Sequence, residues 1–382
     1  MQIDSECPGG NIVVEAIQGD DVHLHQDLRD TAGDWFYWCF RIRNAGGRTL
    51  RFSFTQSRAL GARGPALSLD EGWTWAWLGP ECVQGNAFTC SFADDANDVR
   101  ISSGMPYQNV QWQRFAASLA GHPHFSVHTL CATPTQAKVA YALLGCPGAE
   151  PAHRVVITCR HHACEMMASY VLEGVIQWVA EDADPEARWL REQVQFFIVP
   201  LVDHDGVEAG DQGKNRRPRD HGRDYEGASL YSATDAIRSL LPSWSAGRLR
   251  AVFDLHDPWI AGPHNEVIYL VGAEPAQVAQ EQQRFSRLLE SVRAGPLPYH
   301  HRDFLPFGEA WNTSRSYAGG KSFSAWSAEW LEAELATAVE IPYANASGVE
   351  VNPASARLFG ADLGRGVAAY LRSRDNPLET RA

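Results

Sequence analysis

Four runs constrain the fold most: RVVIT at 154–158, VQFFIVPLV at 194–202, RAVFDLH at 250–256 and ATAVEIPY at 336–343. Each is apolar almost throughout instead of alternating with polar residues. A strand of that kind is covered on both faces, as in a parallel sheet flanked by helices. Between the runs lie helical stretches, among them CEMMASYVLEGVIQWVAE, EPAQVAQEQQRFSRLLESVRAG and SARLFGADLGRGVAAYLRSR. The expectation for residues 105–382 is therefore a mixed, largely parallel α/β sheet domain.

The first hundred residues have a different rhythm. In WFYWCFRIRNAGGRTLRFSF two β-rich runs flank NAGG, whose Asn44, Gly46 and Gly47 suit a hairpin turn. Leu50, Phe52 and Phe54 alternate with Arg51 and Ser53, which gives one buried and one wet face. WTWAWLG repeats that period with Trp73, Trp75 and Trp77. Residues 1–104 are thus expected to form an antiparallel β-sandwich without catalytic groups. The change comes near ISSGMPY, just before a short helix over QNVQWQRFAASLAG.

A formal charge of −13 disfavours nucleic acid and anionic membrane as partners. No apolar run reaches the roughly 20 residues of a membrane span. The N-terminus lacks the basic start and apolar stretch of a secretory signal, and eight scattered cysteines without a CxxC pair suit reduced thiols. A cytoplasmic location is expected; the oligomeric state is left open.

Chemistry gathers where the apolar runs end. CRHHACE directly follows RVVIT, and its His162 and Glu165 stand three residues apart, on one face if this is the first turn of a helix. His161 can pair with Glu165 as well. An imidazole and a carboxylate are suitable zinc ligands, although a helix start with a capping glutamate has the same composition. RAVFDLH ends in His256 and ATAVE ends in Glu340. Three strands thus bring a histidine–glutamate pair, a histidine and a glutamate to the carboxyl edge of one sheet, where α/β folds bind ligands.

The ordered series HHACE, FFIVPLVDHDGV, DHGRDY, DLHDPWIAGPHNEVIYLVG and the glutamate of ATAVE resembles the zinc metallocarboxypeptidases. DLRDTAGDWFYWCFRIRN is similar to a segment of the β-sandwich that precedes the catalytic domain in the cytosolic carboxypeptidase branch. The resemblance implies one Zn²⁺ held by His162, Glu165 and His256, with Glu340 as general base. It implies that Arg223 grips the terminal carboxylate of a peptide, that Asp220 orients a ligand histidine, and that Arg216, or its neighbour Arg217, faces the oxyanion. Tyr317 is the nearest match to a tyrosine that closes over substrate. Lys321 stands in the region that lines the specificity pocket and suggests an acidic C-terminal residue.

The implied activity is hydrolysis of a C-terminal peptide or isopeptide-like bond. Two other uses of the same residues are zinc-dependent deacylation of N-acyl amino acids and a binding protein without activity. The sequence departs from the family in two places: Gly222 replaces an asparagine, and the NPDG run reads DHDG. Asp203, His204 and Asp205 are expected to form a turn around Gly206. His122, His124, His300 and His301 are expected to be surface or packing residues.

Overall fold

A computed structural model describes residues 1–147 and 150–375; the end of the expected 105–382 unit, residues 376–382, lies outside the described residues. Gln2 to Ser102 build two five-stranded sheets. Their inner faces share one core, with Trp38, Phe40, Ile42, Val99 and Ile101 from one sheet against Leu24, Leu50, Phe52, Phe54 and Phe88 from the other. Phe52 and Phe88 stack at 4.7 Å between ring centroids. The alternation of Thr49–Phe54 is realised, with Leu50, Phe52 and Phe54 buried and Thr49 and Arg51 exposed. Cutting such an aromatic to alanine costs about 3–5 kcal/mol. The tryptophan ladder is shorter than expected: only Ala76–Trp77 is strand, and Trp73 is exposed beneath the Arg114 guanidinium.

The second sheet has seven strands in the order Phe125–Ala132, Lys138–Gly145, Val194–Val199, His153–Cys159, Leu249–His256, Leu335–Glu340 and Tyr269–Val271. The four central strands are parallel to one another, and the outer ones run antiparallel. The protein is thus mixed α/β, with two largely antiparallel sheets, in which only Asp21–His25 and Thr49–Phe54 pair in parallel among the described strands, followed by a mixed sheet. The hairpin Phe125–Gly145 was not foreseen, because its outer strand is largely exposed and carries no apolar run.

Alternation sorts the central strands between two cores. Val155, Ile157, Phe253 and Leu255 face the helices Met167–Glu181 and Pro353–Asp375. Val156, Val252 and Ala336 face Ser232–Ser245 and Phe323–Trp330. With a period of two, Asp254, His256 and Glu340 fall on the second face, at the strand ends. Parallel pairing sets Val252 against Ala336 and His256 against Glu340.

Three local expectations are corrected. The runs flanking NAGG do not pair as a hairpin: Cys39–Arg43 and Thr49–Phe54 lie in different sheets, and the turn carries the chain from one to the other. CRHHACE is not the first turn of a helix: Arg160 takes φ 62°, residues 161–164 form a turn, and the helix begins at Met167. Its N-terminal amides bind elsewhere, Met167 and Ala168 donating to the buried Asp257 carboxylate at 2.7 and 2.9 Å. Likewise DHDG opens a short helix, His204–Ala209, in which Asp203 accepts from the Gly206 amide.

Candidate metal centre

The Glu165 carboxylate lies between two imidazoles. His162 Nδ1 is 3.0 Å from Oε1, and His256 Nδ1 is 2.7 Å from Oε2. One donor atom from each of the three residues lies within 4.8 Å of the other two, and all three are buried. The far nitrogens meet other carboxylates: His256 Nε2 is 2.7 Å from Asp254, and His162 Nε2 is 3.6 Å from Asp220. Backing an imidazole with a carboxylate fixes its tautomer and strengthens the opposite nitrogen as a ligand. The donor set, two imidazole nitrogens and one carboxylate with acidic support behind them, fits a divalent metal of the zinc type.

His161, Asp254 and His256 form a second group of the same compactness. Both nitrogens of His161 are already engaged, however, Nδ1 with Asp254 and Nε2 with the Tyr225 hydroxyl, each at 2.7 Å. His161 thereby supports the centre through Asp254, and His162 is the doublet member that faces Glu165.

The electrostatics follow from crowding. Burial works to raise the Glu165 carboxyl, but His162, Lys214 and His256 outweigh it and hold it well below the usual range. Burial likewise opposes ionisation of Asp254 and Asp220; His161 and His256 hold the first low, and His162 the second. Glu340 differs: burial raises its carboxyl, only partly offset by His256 and Lys214. Among the described residues nothing hydrogen-bonds its buried Oε2. A carboxylate so placed is an acceptor in want of a proton.

The arginines behave less uniformly. Arg223 lies 4.7 Å over the Tyr317 ring and donates from Nε to the Ser316 carbonyl at 3.1 Å. Tyr317 donates to Asn312 at 2.8 Å. Gly222 fits its position closely, since a Cβ there would lie 2.7 Å from His162 Nε2. Arg216 is surrounded by carboxylates. Its Nε, Nη1 and Nη2 bind Asp30, Asp203 and Asp211 at 3.0, 2.6 and 2.7 Å, so the guanidinium is fully committed. Arg217 is exposed, and Lys321 forms an ion pair with Glu329.

Two residues of the centre escaped the sequence reading. Asp254 had a signal, because it stands two residues before His256 in a strand and so shares its face. Lys214 had none. Its ammonium lies 2.5 Å from Glu165 Oε1 and 4.9 Å from the Trp35 ring.

Residues 124–240 match the zinc carboxypeptidase family profile. Cytosolic carboxypeptidase 2 of Danio rerio is 26% identical over 255 residues, which is 58% of this chain and 35% of the relative. The chain thus spans about a third of the length of that relative. Among solved structures, a metallo-carboxypeptidase from Burkholderia cenocepacia superposes with a TM-score of 0.79 at 20% identity, over 98% of this chain and 99% of the other. A metallo-carboxypeptidase from Pseudomonas aeruginosa gives 0.74 at 18% identity, over 97% and 99%. At these identities the superpositions speak for the fold.

Proposed function

We propose that this chain, whose residues 124–240 match the zinc carboxypeptidase family profile, removes residues from the C-termini of peptides by zinc-dependent hydrolysis. One observation carries the reading: Glu165 lies between His162 and His256, while Glu340, paired in register with His256, keeps a buried oxygen free. His162, Glu165 and His256 would hold the zinc, which when bound lowers the pKa of a water towards about 7 and polarises the scissile carbonyl.

Glu340 takes the proton from the attacking water and passes it to the departing amine. Its raised pKa suits both halves of that transfer. Arg223, with its planar guanidinium stacked on Tyr317, binds the free carboxylate of the substrate. Asp220 and Asp254 hold the two ligand imidazoles in orientation. Residues 1–104 and 105–382 are read as two units, with the chemistry in the second. A cytoplasmic site of action is supported by eight free cysteines and the named cytosolic relative; among the described residues no helix is long and apolar enough to cross a membrane.

An acidic C-terminal side chain is the finer reading, and the pairing of Lys321 with Glu329 leaves it without that lysine's support. Equal turnover of Glu-ended and Leu-ended peptides would remove it. The main test joins metal analysis to C-terminal trimming followed by mass spectrometry. Wild type is expected to hold about one zinc per chain and to shorten peptides. Glu340→Gln should keep the metal and lose about 10²–10⁴-fold in kcat. A wild type that spares peptides but cleaves N-acyl amino acids would replace the peptidase by a deacylase.

A further inference from the structure

With the Arg216 guanidinium bound to three carboxylates, a different cation lies against the centre. We infer that Lys214 is the catalytic residue that meets the negative charge developing on the scissile carbonyl oxygen, and that the N-terminal sandwich holds it in place. The inference rests on the peptidase reading and deepens it.

The first argument is position. Among the described lysines and arginines, Lys214 has its charged atom in an ion pair with a member of the His162–Glu165–His256 group. Only 15% of its side chain is exposed, and Glu340 also acts on its charge. Four carboxylates, Glu165, Asp220, Asp254 and Glu340, surround the two imidazoles. A divalent cation neutralises half of that charge, so a resident ammonium is compatible with a loaded centre. Were Glu165 to hold the metal, the ammonium would have to share that carboxylate or leave it. Its flexible stem then lets it turn to the next anionic oxygen, and it has three N–H donors to offer.

The second argument is the mounting. Gly213, at φ 74°, passes so close to the CRHHACE turn that a Cβ would lie 2.1 Å from the Ala163 amide. The main chain on either side of Lys214 is bound by the segment DLRDTAGDWFY of the sandwich. Thr31 Oγ1 donates to the Lys214 carbonyl at 2.6 Å, and the Gln212 and Gly213 amides donate to Asp30 at 3.0 and 2.9 Å. Trp35 supplies the ring beneath the ammonium. Arg216, with Asp30, Asp203 and Asp211 around it, is the bolt of this loop and not its working group.

In the step itself, water oxygen bonds to the carbonyl carbon and the π pair moves onto the carbonyl oxygen, where Lys214 donates a charge-assisted hydrogen bond. When the C–N bond breaks, that pair returns to form the carboxyl product, and the amine leaves with the proton that Glu340 took from water.

The test uses the full chain as wild type, Lys214→Met and Lys214→Arg. Measured for each are zinc content, kcat and KM on one peptide, and the affinities for a peptide phosphonate and for the product peptide. Lys214→Met is expected to retain zinc and KM, lose about 10²–10³-fold in kcat, and lose phosphonate affinity by a similar factor with product affinity unchanged. Lys214→Arg should recover part of both losses. Unchanged kcat in Lys214→Met overturns the inference. So does loss of zinc, which would make Lys214 a support for Glu165. If wild type itself holds no zinc and cuts nothing, the peptidase reading fails instead, which keeps the two failures apart.

Discussion

Two histidine doublets occur in this chain, and they have opposite fates. His161 and His162 end an interior strand and are buried, with all four ring nitrogens facing Asp254, Tyr225, Glu165 or Asp220. His300 and His301 lie at a short helical turn, beside the helix Ala276–Val292. Their partners are the exposed Glu290 and Arg287 and the buried Ser286 hydroxyl. The same dipeptide joins a candidate metal centre in one place and a partly exposed seam in the other. What differs is the mount: an interior strand end gathers carboxylates that have no water to turn to, whereas a surface turn leaves its imidazoles hydrated.

Substitution gives the sharpest contrast. His162→Ala should lower zinc affinity beyond the 10–100-fold typical of an outer partner and abolish peptide trimming. His300→Ala and His301→Ala should leave zinc content and kcat unchanged. Metal analysis and a trimming assay on the three variants check this, and equal losses would break the comparison. Next in size is Asp254→Asn, which weakens support for His161 and His256 together. Zinc affinity should fall about 10–100-fold in a chelator competition, with the fold retained by circular dichroism.

The smallest effect belongs to the surface doublet. The His301 amide and the His300 ring hold the Glu290 carboxyl below its ordinary value. A depressed carboxyl adds stability above its unfolded value near 4.5 and loses it as pH falls through the folded one. Wild type should therefore exceed Glu290→Gln in melting temperature at pH 6, and the gap should close towards pH 3. Being exposed, this pair is worth less than about 1 kcal/mol.

The contrast also shows what the sequence could tell. His162, Glu165, His256 and Glu340 were legible because each ends or follows an apolar run, and a polar group there has to be used. Asp254 followed from the same alternation and was passed over. The partners of Arg216 and Lys321, namely Asp30, Asp203, Asp211 and Glu329, were not legible, because they are set by tertiary contacts that no local pattern reveals. Lys214 owes its place to a loop fastened by Thr31 and Asp30 from a distant segment. The helix start at Met167 was missed for a like reason, since its cap, Asp257, comes from another strand's end.

The ladder between Leu249–His256 and Leu335–Glu340 has a further consequence. Since His256 and Glu340 are cross-strand neighbours, sliding one strand by a single residue would turn the carboxylate to the opposite side of the sheet, away from the imidazole. Within the long excursion joining the two strands, Tyr269–Val271 is held to the same ladder, Tyr269 opposite Glu340. The turns on either side of it can vary in length while carboxylate and imidazole stay in step.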